Sequence, residues 1–223
     1  MATPESRGRI PITGGEVGVT RIEPKGSVAT LVVAHGAGAG MDHPFLVGFC
    51  RAMGEAGVGT LRFNFPYIER GRRSPDPERV LRETWLAAFE DASERAGPRP
   101  VLAGGKSLGG RIASMCVADG MPAAGLVFLG YPLHPPGKPE QLRVAHLPKI
   151  SVPVLVVQGE RDPFGTPDEL RPHLATIPAP VTLHVVERGD HSLAPSRKPD
   201  VLQQTYAEIQ DVIASWIAKV PSA

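Results

Sequence analysis

Short apolar runs alternate along this chain with longer segments in which apolar residues recur at helical spacing, and this alternation constrains the fold more than any other feature. The runs are Val28–Ala34, Val58–Phe65, Pro100–Ala103, Gly125–Leu129, Val152–Val157 and Val181–Val186. Nearly continuous apolar strands suit a sheet covered on both faces, which favours parallel pairing. Between them, Phe45, Leu46, Phe49, Met53 and Ala56 fall on one helical stripe behind Pro44, a residue suited to a first turn. Leu81, Trp85, Phe89 and Ala92 form a second stripe after the start signal Asp76-Pro77-Glu78. Thr166-Pro167-Asp168-Glu169 reads as a capping box, and Leu202, Tyr206, Ile209, Ile213, Trp216 and Ile217 share the last stripe. Residues 9–24 read as one or two antiparallel edge strands. Strand and helix repeated in this way predict an α/β fold with a mostly parallel, doubly wound sheet and helices on both faces. There is no internal repeat and no dividing linker, so residues 1–223 are expected to form a single domain.

Composition removes several classes of function. A net charge of +1, with no basic run longer than Arg72-Arg73 or Arg197-Lys198, does not provide the clustered cationic footprint of a nucleic-acid binder. No apolar stretch approaches the length of a membrane span, and the first residues lack a signal-peptide core. The protein therefore reads as soluble and, by default, cytoplasmic, with neither nucleic acid nor membrane as a partner. Cys50 and Cys116 have no metal-ligand spacing and read as buried thiols; no metal and no cofactor is expected.

Glycine-rich turns are where chemistry concentrates, and two familiar readings of them fail. His35-Gly36-Ala37-Gly38-Ala39-Gly40-Met41 follows a strand, but Met41 stands where a dinucleotide fingerprint needs Gly or Ala, and Asn64 stands where it needs an acid. Gly105-Lys106-Ser107 resembles the end of a phosphate-binding loop, yet the glycine required five positions earlier is Pro100. The same residues do satisfy Gly-x-Ser-x-Gly as Gly105-Lys106-Ser107-Leu108-Gly109. That motif needs an apolar strand before it and a helix after it, and both are expected here. Partners follow in the order Ser, Asp, His: Asp162 lies in the loop after the Val152–Val157 run, and His191 in the loop after Val181–Val186. All three lie at strand carboxyl ends, the edge where open sheets bind ligands.

With these residues in place, the chain resembles the α/β-hydrolase superfamily over essentially its whole length. Within it, the chain is similar to short, lid-free dienelactone-hydrolase-like proteins. The nearest likeness is to the testis-expressed-protein and NSL chromatin-complex-subunit type. It rests on His35-Gly36-Ala37-Gly38-Ala39, Arg62-Phe63-Asn64-Phe65-Pro66, Gly104-Gly105-Lys106-Ser107-Leu108-Gly109-Gly110-Arg111 and Gly189-Asp190-His191-Ser192. Dienelactone hydrolases carry Cys where this chain has Ser107, so their lactone chemistry does not come across with the likeness.

The resemblance implies a serine hydrolase of small esters or thioesters, with Ser107 as nucleophile, His191 as base, Asp162 orienting it, and a small acyl compound as the partner. It implies an oxyanion hole from the backbone N–H groups of Leu108 and Ala37, with Gly38 next to it. Gly38, Tyr67, Tyr131 and His134 follow strand ends and are expected to line the substrate pocket. Leu129 to Val152 is too short for a cap domain, which predicts an open, shallow site. The competing reading is a non-catalytic binding or scaffold protein on the same fold. In it, Ser107 is a helix N-cap, Asp162 a turn residue with Glu160 as rival acid, and His191 a surface histidine. His35 is expected to be structural, Asp42-His43 a helix start, Lys106 a solvated cation, and Trp85 and Trp216 core residues. Nothing in the sequence sets an oligomeric state.

Overall fold

A computed structural model describes residues 3–221. One eight-stranded sheet organises them, in the order β1-β2-β4-β3-β5-β6-β7-β8. The strands are β1 (Glu5–Ile12), β2 (Gly15–Ile22), β3 (Ala29–Ala34), β4 (Val58–Phe63), β5 (Val101–Lys106), β6 (Leu126–Leu129), β7 (Val154–Gly159) and β8 (Val181–Val186). β1 and β2 form an antiparallel hairpin, and β2 is antiparallel to β4. From β4 to β8 every pair is parallel.

Alternation along the central strands divides the core into two layers. Val32 and Ala34 of β3, Leu126 and Phe128 of β6, and Val154 and Val156 of β7 face one layer. Their neighbours Leu31 and Val33, Val127 and Leu129, and Leu155 and Val157 face the other. A strand with a period of two can only be apolar throughout if both its faces are covered. The first layer is closed by α3 (Glu78–Ala96), α4 (Leu108–Ala118) and α5 (Pro167–Leu174), through Leu81, Trp85, Ile112, Ala113 and Leu170. The second is closed by α1 (Pro44–Glu55) and α6 (Pro199–Ile217), through Leu46, Phe49, Met53, Ile209 and Ile213. Helices thus cover both faces, as the sequence pattern requires.

The deviations from expectation have local causes. The hairpin begins at Glu5 rather than near residue 9, because β1 is an edge strand whose polar residues face water. β4 ends at Phe63: Asn64 turns its side chain to accept from Met41 N–H (2.8 Å) and donate to Glu69 (2.9 Å), and Pro66 opens the short helix α2 (Pro66–Glu69). β5 runs on through both glycines to Lys106, held in parallel register by β3 and β6. β8 is only partly buried, being the opposite edge. The capping box at Thr166 and Glu169 is formed in both directions. His43 is the N-cap residue of α1. Trp85 is fully buried while Trp216 is only partly covered. Cys50 and Cys116 are buried and unpaired.

Between β6 and β7 there is no cap, only a loop with a single 3-10 turn, Leu147–Lys149. No helix among the described residues is long and apolar enough to cross a membrane.

Trp85 joins the first layer to α4: its indole packs edge-on to Phe63 at 5.3 Å and its Nε1 donates to Gly109 O at 3.0 Å. Replacing Trp85 with Ala is expected to lower unfolding free energy by about 3–5 kcal/mol. Urea denaturation measures this, and a loss below ~1 kcal/mol would show that the layer closes without the indole.

Candidate active site

Ser107 stands between β5 and α4 with φ 50° and ψ −115°, a backbone conformation that costs a side-chain-bearing residue about 1–3 kcal/mol. Close approach of neighbouring backbone imposes it. A Cβ on Gly105 would lie 2.5 Å from Ala34 O, and one on Gly109 would lie closer still to the same oxygen. Only glycine lets the strand end and the helix start press against β3 together. The turn lifts Ser107 out of the sheet; it occupies the N-cap position of α4, but its side chain makes no capping bond there.

Asp162 follows β7 and is 1% exposed. His191 follows β8 in a loop pinned by Asp190, whose Oδ1 accepts from Ser192 N–H (2.7 Å) and Ala194 N–H (3.2 Å). Gly159, at the end of β7, allows the Gly189 and Asp190 backbone to pass against it. The three side chains meet: His191 Nε2 lies 2.8 Å from Ser107 Oγ, and His191 Nδ1 lies 2.7 Å from Asp162 Oδ2. With the acid a pure acceptor, the proton between them sits on Nδ1, which leaves Nε2 as an acceptor towards Ser107. Glu160 does not take part. It is exposed and accepts from Arg188 N–H at 2.6 Å.

Two further residues hold this array, and the sequence reading did not single them out. Gln158 is fully buried. Its amide donates to Asp162 Oδ2 (2.9 Å) and Gly165 O (2.7 Å), and its Oε1 accepts from Tyr131 N–H (2.7 Å). Phe164 stacks on the His191 ring at 4.1 Å between centroids, and its N–H donates to Asp162 Oδ1 at 2.8 Å. The usable signal was Gln158 itself, a polar residue ending an otherwise apolar buried strand four positions before an acid.

The loop after β3 lies against the serine: a Cβ on Gly36 would be 3.6 Å from Ser107 Cβ. His35 is buried, with Nε2 accepting from Phe65 N–H (3.1 Å) and Nδ1 therefore donating to Gly36 O (2.8 Å). Because that peptide is planar and trans, holding the Gly36 carbonyl on His35 turns the Ala37 N–H the other way. Ala37 and Leu108 both line the cleft, and neither N–H donates to another backbone group among the described residues.

The cleft holds about 530 Å³, within the few-hundred to ~1,000 Å³ range of small-molecule sites, so it is a defined pocket rather than a shallow one. Ser107 is half-buried in it.

The expected lining residues stand elsewhere. Tyr67 is 0% and Tyr131 1% exposed. Immediate entry into α2 tucks Tyr67 against Phe65 and His35, and the Tyr131 hydroxyl donates to Arg143 O at 2.6 Å. His134 turns towards Glu169 of the capping box, 3.5 Å away. Gly38 forms the tip of its turn with φ 72°, while Ala37 and Ala39 on either side reach the cleft. The walls come instead from residues such as Phe45, Leu81, Leu108, Pro132 and Phe164. Lys106 also departs from expectation: its Nζ is buried without a hydrogen-bond partner. Burial pushes its pKa down to about 8, against the pull of Asp162 and Asp190.

Comparison with known proteins fits this geometry. Residues 27–218 match the family model described as an alpha/beta hydrolase domain. The chain belongs to that family. Its fold is similar to that of a dienelactone hydrolase from Anabaena variabilis, with a TM-score of 0.77, 18% identity and 97% of each chain covered. It is equally similar to an α/β serine hydrolase without a lid from Xanthomonas campestris, with a TM-score of 0.77, 18% identity, and 100% of this chain and 98% of that chain covered. An α/β serine hydrolase homologue from Coxiella burnetii gives a TM-score of 0.75 and 20% identity, with 94% of this chain and 96% of that chain covered.

His35 generates a stability prediction. Burial pushes its pKa from the ordinary 6.5 to about 4. Between those values the unfolded chain binds a proton that the folded chain refuses, so stability falls as pH drops from 6.5 towards 4, by up to about 1.4 kcal/mol per pH unit. His146, also pushed down to about 4 by burial, acts in the same direction. Urea midpoints between pH 4 and pH 7 should show this slope, and His35→Gln should flatten it. An unchanged slope in the variant would assign the pH dependence to other groups.

Proposed function

We propose that this protein is a serine hydrolase that cleaves small esters or thioesters through an acyl-enzyme, with Ser107, His191 and Asp162 as its triad. The observation that carries the reading is the unbroken chain from Ser107 Oγ through the imidazole to the Asp162 carboxylate, at 2.8 Å and 2.7 Å. Ser107 Oγ attacks the substrate carbonyl carbon while His191 Nε2 takes its proton; Asp162 holds the ring in that tautomer and stabilises the imidazolium. The negative charge on the carbonyl oxygen is met by the Ala37 and Leu108 N–H groups, each of the kind whose loss costs about 3 kcal/mol of transition-state stabilisation. His191 then protonates the leaving alcohol or thiol. Water attacks the resulting Ser107 ester by the same route, releasing the acid and restoring the serine. Gln158 and Phe164 act through others: they position Asp162 and His191 and touch no reacting atom.

Names among the similar structures, a dienelactone hydrolase and a serine hydrolase without a lid, support a hydrolytic role. A cytoplasmic location is part of the proposal, and the two unpaired buried thiols agree with it. So is a single domain, supported by helices from residues 44 to 217 packing on one sheet.

Labelling with a fluorophosphonate probe tests the nucleophile: wild type should label and Ser107→Ala should not. Equal labelling of both, or none of folded wild type, would favour a scaffold role. Turnover of a 4-nitrophenyl ester tests the acid, with Asp162→Asn expected to lose up to ~10⁴-fold. If Glu160→Gln lost activity and Asp162→Asn did not, the assignment of the acid would be wrong.

A further inference from the structure

Charges on the cleft wall are matched unequally. Its two acids each face an arginine, Asp76 through Oδ1 to Arg70 at 3.5 Å, with Oδ2 buried and without a partner, and Glu78 to Arg82 at 3.8 Å. Its three cations are Lys106, Arg111 and Arg143. Lys106 has electrostatic balance from the Asp162 and Asp190 carboxylates. Arg111 and Arg143 have none: among the described residues neither guanidinium forms an ion pair with a carboxylate. Both line one cleft, and burial first, then the charge of Arg111, disfavours the charge on Arg143. Like charges held together in a half-buried site repel at a cost that an intervening anion reverses.

Hydrogen-bond capacity is left over at the same place. Arg111 Nε is buried and has no partner, and its Nη1 meets only the sulfur of Met115 at 3.4 Å, a weak acceptor. A buried donor without an acceptor is destabilising unless a ligand completes it. Both residues stand on fixed backbone. Arg111 N–H donates to Ser107 O at 3.0 Å, which places the residue one helical turn beyond the serine. Arg143 is tied by its carbonyl to the Tyr131 hydroxyl (2.6 Å) and by its N–H to Leu133 O (2.8 Å).

We propose that Arg111 and Arg143 form an anion-binding subsite of the cleft, which selects substrates carrying a carboxylate or phosphate group a few bonds from the scissile carbonyl. This rests on the hydrolase reading for its catalytic consequence but not for binding itself. A planar guanidinium pair suits such groups, since each can donate two parallel bonds to one oxyanion. The anion would supply Arg111 with its missing acceptor and neutralise the mutual repulsion of the pair.

Two matched esters test selection: 4-nitrophenyl hemiglutarate, which carries a carboxylate, and 4-nitrophenyl valerate, which is neutral. Wild type should have the higher kcat/KM for the hemiglutarate, and Arg143→Gln or Arg111→Gln should reduce the ratio of the two values about tenfold or more, mainly through KM. Arg73→Gln, an exposed arginine outside the cleft, should keep the wild-type ratio. Calorimetry on the Ser107→Ala protein separates binding from catalysis, with glutarate and inorganic phosphate as probes. Saturable binding of either that Arg143→Gln abolishes supports the subsite, and which probe binds identifies the anion. If wild type turned over neither ester while that binding persisted, the hydrolase reading would fail and the subsite would stand. No binding of either probe, or an ester ratio equal in wild type and both cleft variants, would overturn the inference.

Discussion

The carbonyl of Ala34 is the contact on which the rest of the site depends. It lies at the end of β3, and the Cα atoms of Gly105 and Gly109 both pack against it where no Cβ would fit. That double approach sets the angle at which α4 leaves β5 and forces Ser107 to φ 50°. It also brings the loop after β3 alongside the serine, so Ala37 and Leu108 line the same cleft. From the other side, the Trp85 indole holds Gly109 in place through its carbonyl. The local strain at Ser107 persists because backbone contacts on both sides leave the turn no relaxed alternative.

A second constraint is electrostatic. A carboxylate taken out of water is costly unless its lone pairs are met, and Asp162 is 1% exposed. Its oxygens receive the Phe164 N–H, the Gln158 amide and His191 Nδ1, at 2.7–2.9 Å. Gln158 in turn fastens Tyr131, at the end of β6, and Gly165, in the loop before α5. One buried polar cluster therefore locks three loops to each other. The same low-dielectric surroundings bear on Lys106, whose unpartnered ammonium faces Asp162 and Asp190. Acid and cation share one compartment from which water is largely excluded.

Legibility in the sequence varied with the range of the interaction responsible. Local rules were sufficient for the strand-helix alternation, the capping box at Thr166 and the elbow glycines, because each reflects backbone geometry within a few residues. The order of Ser107, Asp162 and His191 was readable because all three follow strands of a parallel sheet, whose carboxyl ends share one edge. The pocket residues were not readable by the same rule. Tyr67, Tyr131 and His134 also follow strand ends, but the direction of a side chain there depends on the next turn: α2 folds Tyr67 inward, and the Tyr131 hydroxyl seeks a carbonyl. Lys106 is not readable for a related reason, since a lysine at the end of a strand gives no indication of the packing above it.

Periodicity, glycine placement and the order of residues after strands in the sequence by itself determined the layered α/β sheet, the sheet edge that carries the cleft and the identity of three residues with complementary chemistry, because these follow from backbone sterics and side-chain type. Only the tertiary structure decided the rest: that those residues lie within hydrogen-bond distance, that Gln158 and Phe164 steady them, and that Arg111 and Arg143 line the same cleft without an ion-pair partner among the described residues. Such distances arise from packing between segments remote in the chain, and no local pattern records them.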